Sequence, residues 1–366
     1  MENKAKLKLV LGLLAMALIA VMISWAVITT NTVKEDKIKI GVIAPLSGPF
    51  SFWGESIRES LLLDNNPGVE LIFEDSKCDA KEGISAANKL INVDKVQIII
   101  GDICSSVTLA ITPLAEKNKV VLITFSQSSA IKNAGDYIFR ISLPNDIASK
   151  SLANKVYSDM NRKVAVLYVL NELGKDYEQQ FTKSFKEMGG EITDIEGYEV
   201  TEKDFSTPLS KIRETDSDAL IIFTNLEGVS IAKTIAKLNI RTKLYGGTTW
   251  NSKPNYAGAE NILNDLVYPI SKVDKNSKYD IFMKLFQDKY GKKPSVEWMA
   301  INSYDALNIL MQTIAKTGYN GEKIKNYLYK VKYVGLNGEI TFDKNGDYFN
   351  KVQMMQLKDG KTIAIN

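Results

Sequence analysis

The chain has two cysteines, Cys78 and Cys104, and no histidine, which removes much of the chemistry a protein of this size can do. A serine or cysteine nucleophile has no imidazole to take its proton. A histidine-ligated metal site is out of reach, and two thiolates are too few for a cysteine-based zinc site. No phosphate-cradling loop and no dinucleotide fingerprint occurs. The remaining candidates are residues suited to holding a molecule. Ser105 and Ser106 follow a strand-like run and open a helical stretch. Unpaired N–H groups and the positive end of the helix dipole suit a ligand carboxylate there, although a plain serine cap reads the same way. Ser126, Gln127, Ser128 and Ser129 follow the next strand-like run and could be a second set of polar contacts or a polar turn. Asp343 to Asp347 has the composition of a calcium loop without its length or terminal glutamate, so a hairpin turn is expected. Neither catalytic residue, cofactor nor metal is expected.

These side chains need a frame, and the chain alternates strand-like with helix-like stretches. Ile38–Ile43, Val69–Phe73, Val96–Ile100 and Val120–Thr124 read as strands; Lys81–Val93 and Ser105–Lys117 read as helices. The continuous apolar run at Val96–Ile100 suits a strand covered on both faces. The pattern restarts with strand Val164–Val169, helix Gly174–Met188 stopped by Gly189 and Gly190, strand Ala219–Phe223, helix Val229–Leu238 and short strand Leu244–Gly247. Helical stretches follow at about Lys278–Tyr290 and Val296–Lys316. Gly338–Phe342, Lys351–Leu357 and Thr362–Ile365 read as strands joined by Asn345-Gly346 and Asp359-Gly360 turns. Repeated β-α-β order implies α/β architecture with parallel sheets, and 366 residues suit two such units. Ligands in such sheets bind beyond the carboxyl ends of the strands. A cleft is therefore expected among the loops after Ile43, Ile100, Thr124, Val169, Phe223 and Gly247.

The N-terminus carries Lys4, Lys6 and Lys8, then Leu9–Ile28 without a charge. Twenty helical residues reach about 30 Å, the thickness of a bilayer core. Residues 1–8 would stay cytoplasmic, 9–28 would be a transmembrane anchor or signal, and 29–36 a polar linker. A small-x-small cleavage site is not obvious before Lys34, and no lipid-acceptor cysteine follows the run. A retained anchor is expected, with the rest of the chain outside. The net charge of +3 gives no basic excess calling for nucleic acid.

The loop from Gly41 through Pro45, Ser47, Gly48 and Pro49 to Trp53 and Gly54 resembles the opening of branched-chain amino-acid-binding proteins, the leucine/isoleucine/valine type of the type I periplasmic binding fold. Glu74 to Asp79 and Gly101 to Ser106 resemble further blocks of that family, including its paired cysteines. Phe139-Arg140 followed by Pro144-Asn145-Asp146, and the ending Phe342 to Asp347, agree in order and spacing. The likeness covers about residues 37–366. It implies two doubly wound lobes hinged by three crossovers, with lobe 1 at 37–144 and 270–338 and lobe 2 at 145–269 and 339–366.

The resemblance also implies roles. Ser105 and the Ser126–Ser129 loop, chiefly Gln127 and Ser128, would hold a ligand carboxylate. Trp53, which the sequence puts early in a loop leading to a helix, would flank the ligand. Leu173 stands where the family has a tyrosine, and Thr248 near the place of the acid that pairs with a ligand ammonium. Asn225 lies in the loop between them. Glu227 and Asp146 are the nearby carboxylates that could replace that acid, and Glu172 a weaker third. A buried ammonium without a carboxylate is costly, so either an acid has moved or the ligand lacks a free amine. Cys78 and Cys104 each follow a strand; neighbouring parallel strands lie about 4.8 Å apart, within reach of a disulfide, and an oxidising exterior would keep it. The expected function is a non-enzymatic, monomeric, extracytoplasmic receptor that binds an amino acid, amide or small carboxylate for an ABC permease. A ligand-sensing domain acting on a separate signalling partner is the alternative.

Overall fold

The computed structural model describes residues 12, 16, 17, 19, 22, 37–64, 66–273, 275–348 and 351–365. The chain divides into two compact units, Met1–Ile38 and Lys39–Asn366. In the first, Gly12, Met16, Ala17, Ile19 and Met22 are helical and exposed. The rest of the expected anchor, with the basic tail and the linker, lies outside the described residues. Among the described residues no helix is long and apolar enough to cross a membrane.

The elements in chain order are β1 (Ile38–Ala44), α1 (Ser51–Leu61), β2 (Val69–Asp75), α2 (Ala80–Asn88), β3 (Ile98–Ile100), α3 (Ser105–Lys117), β4 (Val121–Thr124), β5 (Ile138–Arg140), α4 (Asn145–Ser158), β6 (Lys163–Val169), α5 (Glu172–Glu187), β7 (Glu191–Tyr198), α6 (Ser206–Arg213), β8 (Ala219–Phe223), α7 (Gly228–Lys237), β9 (Lys243–Gly246), β10 (Val267–Ser271), α8 (Ser277–Tyr290), α9 (Glu297–Thr317), α10 (Gly321–Leu328), β11 (Tyr333–Gly335), β12 (Gly338–Ile340), β13 (Val352–Lys358) and β14 (Lys361–Ile365). A five-stranded sheet runs β2-β1-β3-β4-β5, and a seven-stranded one runs β14-β13-β10-β9-β8-β6-β7. The pairings from β1 to β5 through β3 and β4 are parallel, as are those from β7 to β10. The antiparallel β13–β14 hairpin closes the second sheet's edge. Its turn at Asp359-Gly360 has positive φ at both residues, the geometry a two-residue hairpin needs.

The central strands explain why the apolar runs are unbroken. Every residue of β3 and of β8 is buried, because helices cover both faces of the sheets. In the second lobe one face packs Phe205, Leu209, Ile231, Ile235 and Trp250. The other packs Leu152, Val156, Tyr177, Phe181 and Phe185. Each such side chain contributes about 2–3 kcal/mol by area removed from water.

The chain leaves the first sheet after β5, returns to its helices after β10, and crosses again after Tyr348. The last crossing differs from the boundary expected at 338/339. Phe342 packs edge-on against Phe139 at 5.1 Å, and Asp347 bridges Arg140, so residues up to 348 belong with the first sheet. The second crossing also lies later than 269/270, since β10 runs to Ser271 within the second sheet. The Asn345-Gly346 turn closes a short pairing of Phe342 with Tyr348 instead of joining two long strands.

Cys78 and Cys104 form a disulfide with Cα atoms 5.5 Å apart. The strands they follow are not neighbours, because β1 lies between β2 and β3. The bridge therefore links two loops over the end of β1, a geometry that strand spacing alone does not provide.

Candidate functional site

Loop β1–α1 is fixed before it reaches the site. The Asp75 carboxylate accepts from the Leu46 and Ser47 amides at 2.8 and 3.3 Å and from the Ser47 hydroxyl at 2.5 Å. Burial would raise this carboxyl, but the Ser47 hydroxyl and the amides of Lys77, Leu46 and Ser47 hold it below its usual range. Gly54 lets the following helix sit on the loop: a Cβ there would stand 2.1 Å from the Pro45 carbonyl. Trp53 is consequently in the first turn of α1, not in a loop, and is 8% exposed. Its ring stacks on Phe50 at 5.1 Å.

Ser105 and Ser106 are the first residues of the 13-residue α3. Behind them Asp102 is fully buried and accepts from the Cys104 amide at 2.6 Å; burial pushes its carboxyl up to about 7. Ser105 is 5% exposed and accepts from the Ser126 hydroxyl at 3.2 Å, leaving its own proton free to donate.

A cavity of about 170 Å³ lies between the two sheets, beyond the carboxyl ends of their strands. The first lobe supplies Phe50, Trp53, Ile103, Ser105, Ser106 and Gln127, with the disulfide at its edge. The second supplies Asn171, Glu172, Leu173, Val200, Asn225, and Thr248 with its neighbours. All six expected loops contribute, joined by the loops after β2 and β7 and by Trp298 of α9. Trp53, Ser105, Ser106, Gln127, Leu173, Asn225 and Thr248 thus line one cavity.

Ser128, Asp146 and Glu227 do not. Ser128 is fully buried away from the cavity; its hydroxyl accepts from the Ala130 amide at 3.3 Å and its carbonyl from Arg140 Nη1 at 2.5 Å. Asp146 lies in the first turn of α4, at a separate open depression shared with Ile147 and Lys150. One Glu227 oxygen accepts from Tyr198 Oη, Thr224 Oγ1 and the amides of Asn225 and Leu226, all at 2.7–3.1 Å. That carboxylate closes its own loop ahead of α7 and does not reach the cavity. Among the described residues Glu172 is the one carboxylate on the wall, and it is exposed.

The lobes meet under the cavity. Thr248 Oγ1 donates to Gln127 Oε1 at 2.7 Å and stands 2.7 Å from Tyr177 Oη. Asp176 accepts from the Ser129 amide and from Asn145 Nδ2, each at 2.8 Å, and from the Ser129 hydroxyl. Within the first lobe, Arg140 clasps Asp347 through Nε and Nη2, both at 2.8 Å. Sequence reasoning missed Tyr177, Asp176, Trp298 and the Arg140–Asp347 pair. Only Arg140 and Asp347 carried a signal, inside motifs whose pairing is long-range. Among the described residues no group of acidic residues or cysteines is placed to hold a metal.

The profile of the periplasmic binding protein family matches residues 37–362. The leucine-, isoleucine-, valine-, threonine- and alanine-binding protein of Pseudomonas aeruginosa is 26% identical over 86% of this chain and 88% of its own length. A leucine-binding protein from Thermotoga maritima superimposes with a TM-score of 0.82 at 24% identity, covering 90% of this chain and 98% of that one. A solute-binding protein of an ABC transporter from Rhodopseudomonas palustris, crystallised with 4-hydroxybenzoate, gives 0.82 at 22% identity, covering 90% and 96%. The chain belongs to the periplasmic binding protein family, whose members bind solutes outside the cytoplasm and are not enzymes.

Proposed function

We propose that this protein is the membrane-tethered solute receptor of an ABC importer, closing its two lobes on an amino acid, amide or small carboxylate. The observation that carries this reading is the cavity between the lobes, with a buried hydroxyl and the start of α3 on one wall and an aromatic side chain beside them. Ser105, Ser106 and the α3 amides grip the ligand's acidic end, Gln127 assists, and Trp53 excludes water over its apolar part. Asn225, Leu173 and Thr248 face them from the second lobe. The three crossovers act as the hinge, and the permease reads the closed form. Leu9–Ile28 behind three lysines supplies the anchor, and the receptor works as a monomer.

A thermal-shift screen of the full chain in detergent, with amino acids, amides and small carboxylates, tests the reading. A true ligand at a hundred times its Kd adds about 2.7 kcal/mol of stability. A panel in which no compound moves the melt, or in which a bound compound is turned over, ends the proposal. Proteolysis of intact cells tests the tether: residues 37–366 should be accessible from outside, with the N-terminus retained in the membrane fraction.

A further inference from the structure

Among the described residues the cavity's walls carry no lysine, arginine or aspartate, and their one glutamate, Glu172, faces solvent. The first-lobe wall is rich in unengaged donors. Ser105 is 95% buried with its proton uncommitted, and the opening amides of α3 have no partner within the helix. Gln127 is 93% buried. Its Oε1 is held by Thr248, and its Nε2 has no partner among the described residues. Such a wall suits an anion.

The second-lobe wall is a different surface. An ammonium needs three acceptors and, when buried, a counter-charge. Thr248 already donates to Gln127 and is in contact with Tyr177 Oη, and Asn171 Oδ1 already accepts from the Gly174 amide at 2.9 Å. Glu227 is occupied by its own loop. What remains is neutral: the Ser252 hydroxyl, 92% buried, and Asn225, 96% buried, both on the cavity wall; the Asn225 carboxamide has no partner among the described residues. A carboxamide offers one donor face and one acceptor face, which suits a hydroxyl or carbonyl and leaves an ammonium short of acceptors and of charge. Leu173 and Val200 add apolar surface to that wall, and the Thr249 hydroxyl beside them is already spent on the Thr224 carbonyl at 2.6 Å.

We propose that the ligand is a carboxylic acid without an ammonium group, its apolar body between Trp53 and Leu173, with a neutral hydroxyl or carbonyl turned to Asn225. This deepens the reading of the cavity as the solute site and rests on it.

Isothermal titration of the full chain with matched pairs tests the proposal: leucine against 4-methylpentanoate, and phenylalanine against 3-phenylpropanoate, then benzoate against 4-hydroxybenzoate. The acid lacking the ammonium should bind at least tenfold more tightly within each amino-acid pair. The hydroxylated benzoate should bind more tightly than benzoate, and Asn225→Leu should erase that second preference while keeping the first. Equal or tighter binding of leucine or phenylalanine overturns the class, most directly if Glu172→Gln then abolishes it. Failure of all six compounds to bind also overturns it. Trp53→Ala separates the two levels. If an acid binds and neither Trp53→Ala nor Asn225→Leu changes its affinity, the cavity reading itself has failed. If an amino acid binds and Trp53→Ala weakens it, the cavity reading stands and only the ligand class is wrong.

Discussion

The two walls of the cavity are built on different physical plans. The first-lobe wall is pinned from behind: a disulfide ties its loops, Asp75 holds the Ser47 turn, and Arg140 with Asp347 locks the backbone of Ser128. The second-lobe wall consists of short loops carrying carboxamides, hydroxyls and apolar side chains, and its carboxylate among the described residues, Glu172, lies in solvent. The difference teaches a division of labour. On the proposed reading, a pinned set of donors would recognise a charge common to many solutes, and a neutral surface would decide which of them is accepted.

The first lobe also holds both carboxyls that burial pushes up to about 7, Asp102 and Asp305. A folded-state value raised from about 4 means the native chain retains protons that the unfolded chain has released. The stabilisation is complete below about pH 4 and is lost as pH rises through 7. Each carboxyl contributes a slope of at most about 1.4 kcal/mol per pH unit in that window. Urea denaturation at pH 5, 6 and 7 should show stability falling by several kcal/mol. The Asp305→Asn variant should lose about half of that slope, while its remaining acceptor still meets the Leu336 amide. A slope that is unchanged in this variant would mean that Asp305 is not a source of the pH dependence.

Breaking the pins should cost nearly as much. Arg140 is 1% exposed and makes a bidentate pair with Asp347. Asp347→Ala leaves that guanidinium buried without its partner, for about 3–5 kcal/mol, read as a lower denaturation midpoint. Reducing the Cys78–Cys104 bridge, with its separation of 26 residues, should cost about 3–4 kcal/mol by loop entropy. Both losses should appear in the first lobe, so Trp53 emission should change at lower urea than that of Trp250, buried in the second lobe. Coincident transitions would show that the two lobes unfold as one unit and that the contrast in rigidity does not extend to stability.

The same contrast explains what could be read from the sequence. Central strands such as β8 and helices such as α3 stood out because they are covered on both faces or on one regular stripe. Ser105, Gln127 and Trp53 follow those strands closely, so their arrival at the cavity was legible. Edge strand β7, with its polar Glu191-Ile192-Thr193-Asp194 start, and the helix α4 have weak patterns and went unnamed, as did α6, which is only eight residues long. Ser128 and Glu227 were misread for one reason: a polar side chain at a loop can serve its own backbone as easily as a ligand, and sequence does not say which. Trp298 reaches the cavity only through packing of α9 beside α1, a long-range event with no local signature. The placement of the disulfide over β1 depends on strand order, which spacing along the chain does not encode.

The smallest effect expected is also the most specific to the comparison. Ser105→Ala deletes one hydroxyl whose one hydrogen bond among the described residues is acceptance from Ser126. If the hydroxyl donates to a ligand carboxylate, the loss is that of one charge-assisted hydrogen bond, about 1.5 kcal/mol or roughly tenfold in Kd. The loss should be nearly uniform across carboxylate ligands, because this wall meets the group they share. Second-lobe substitutions such as Asn225→Leu should instead change the order of preference among those ligands. Titrating both variants against one panel of acids makes the distinction quantitative. A Ser105→Ala protein that binds every acid as well as the parent removes the hydroxyl from the grip, and with it the argument that the first wall carries the charge recognition.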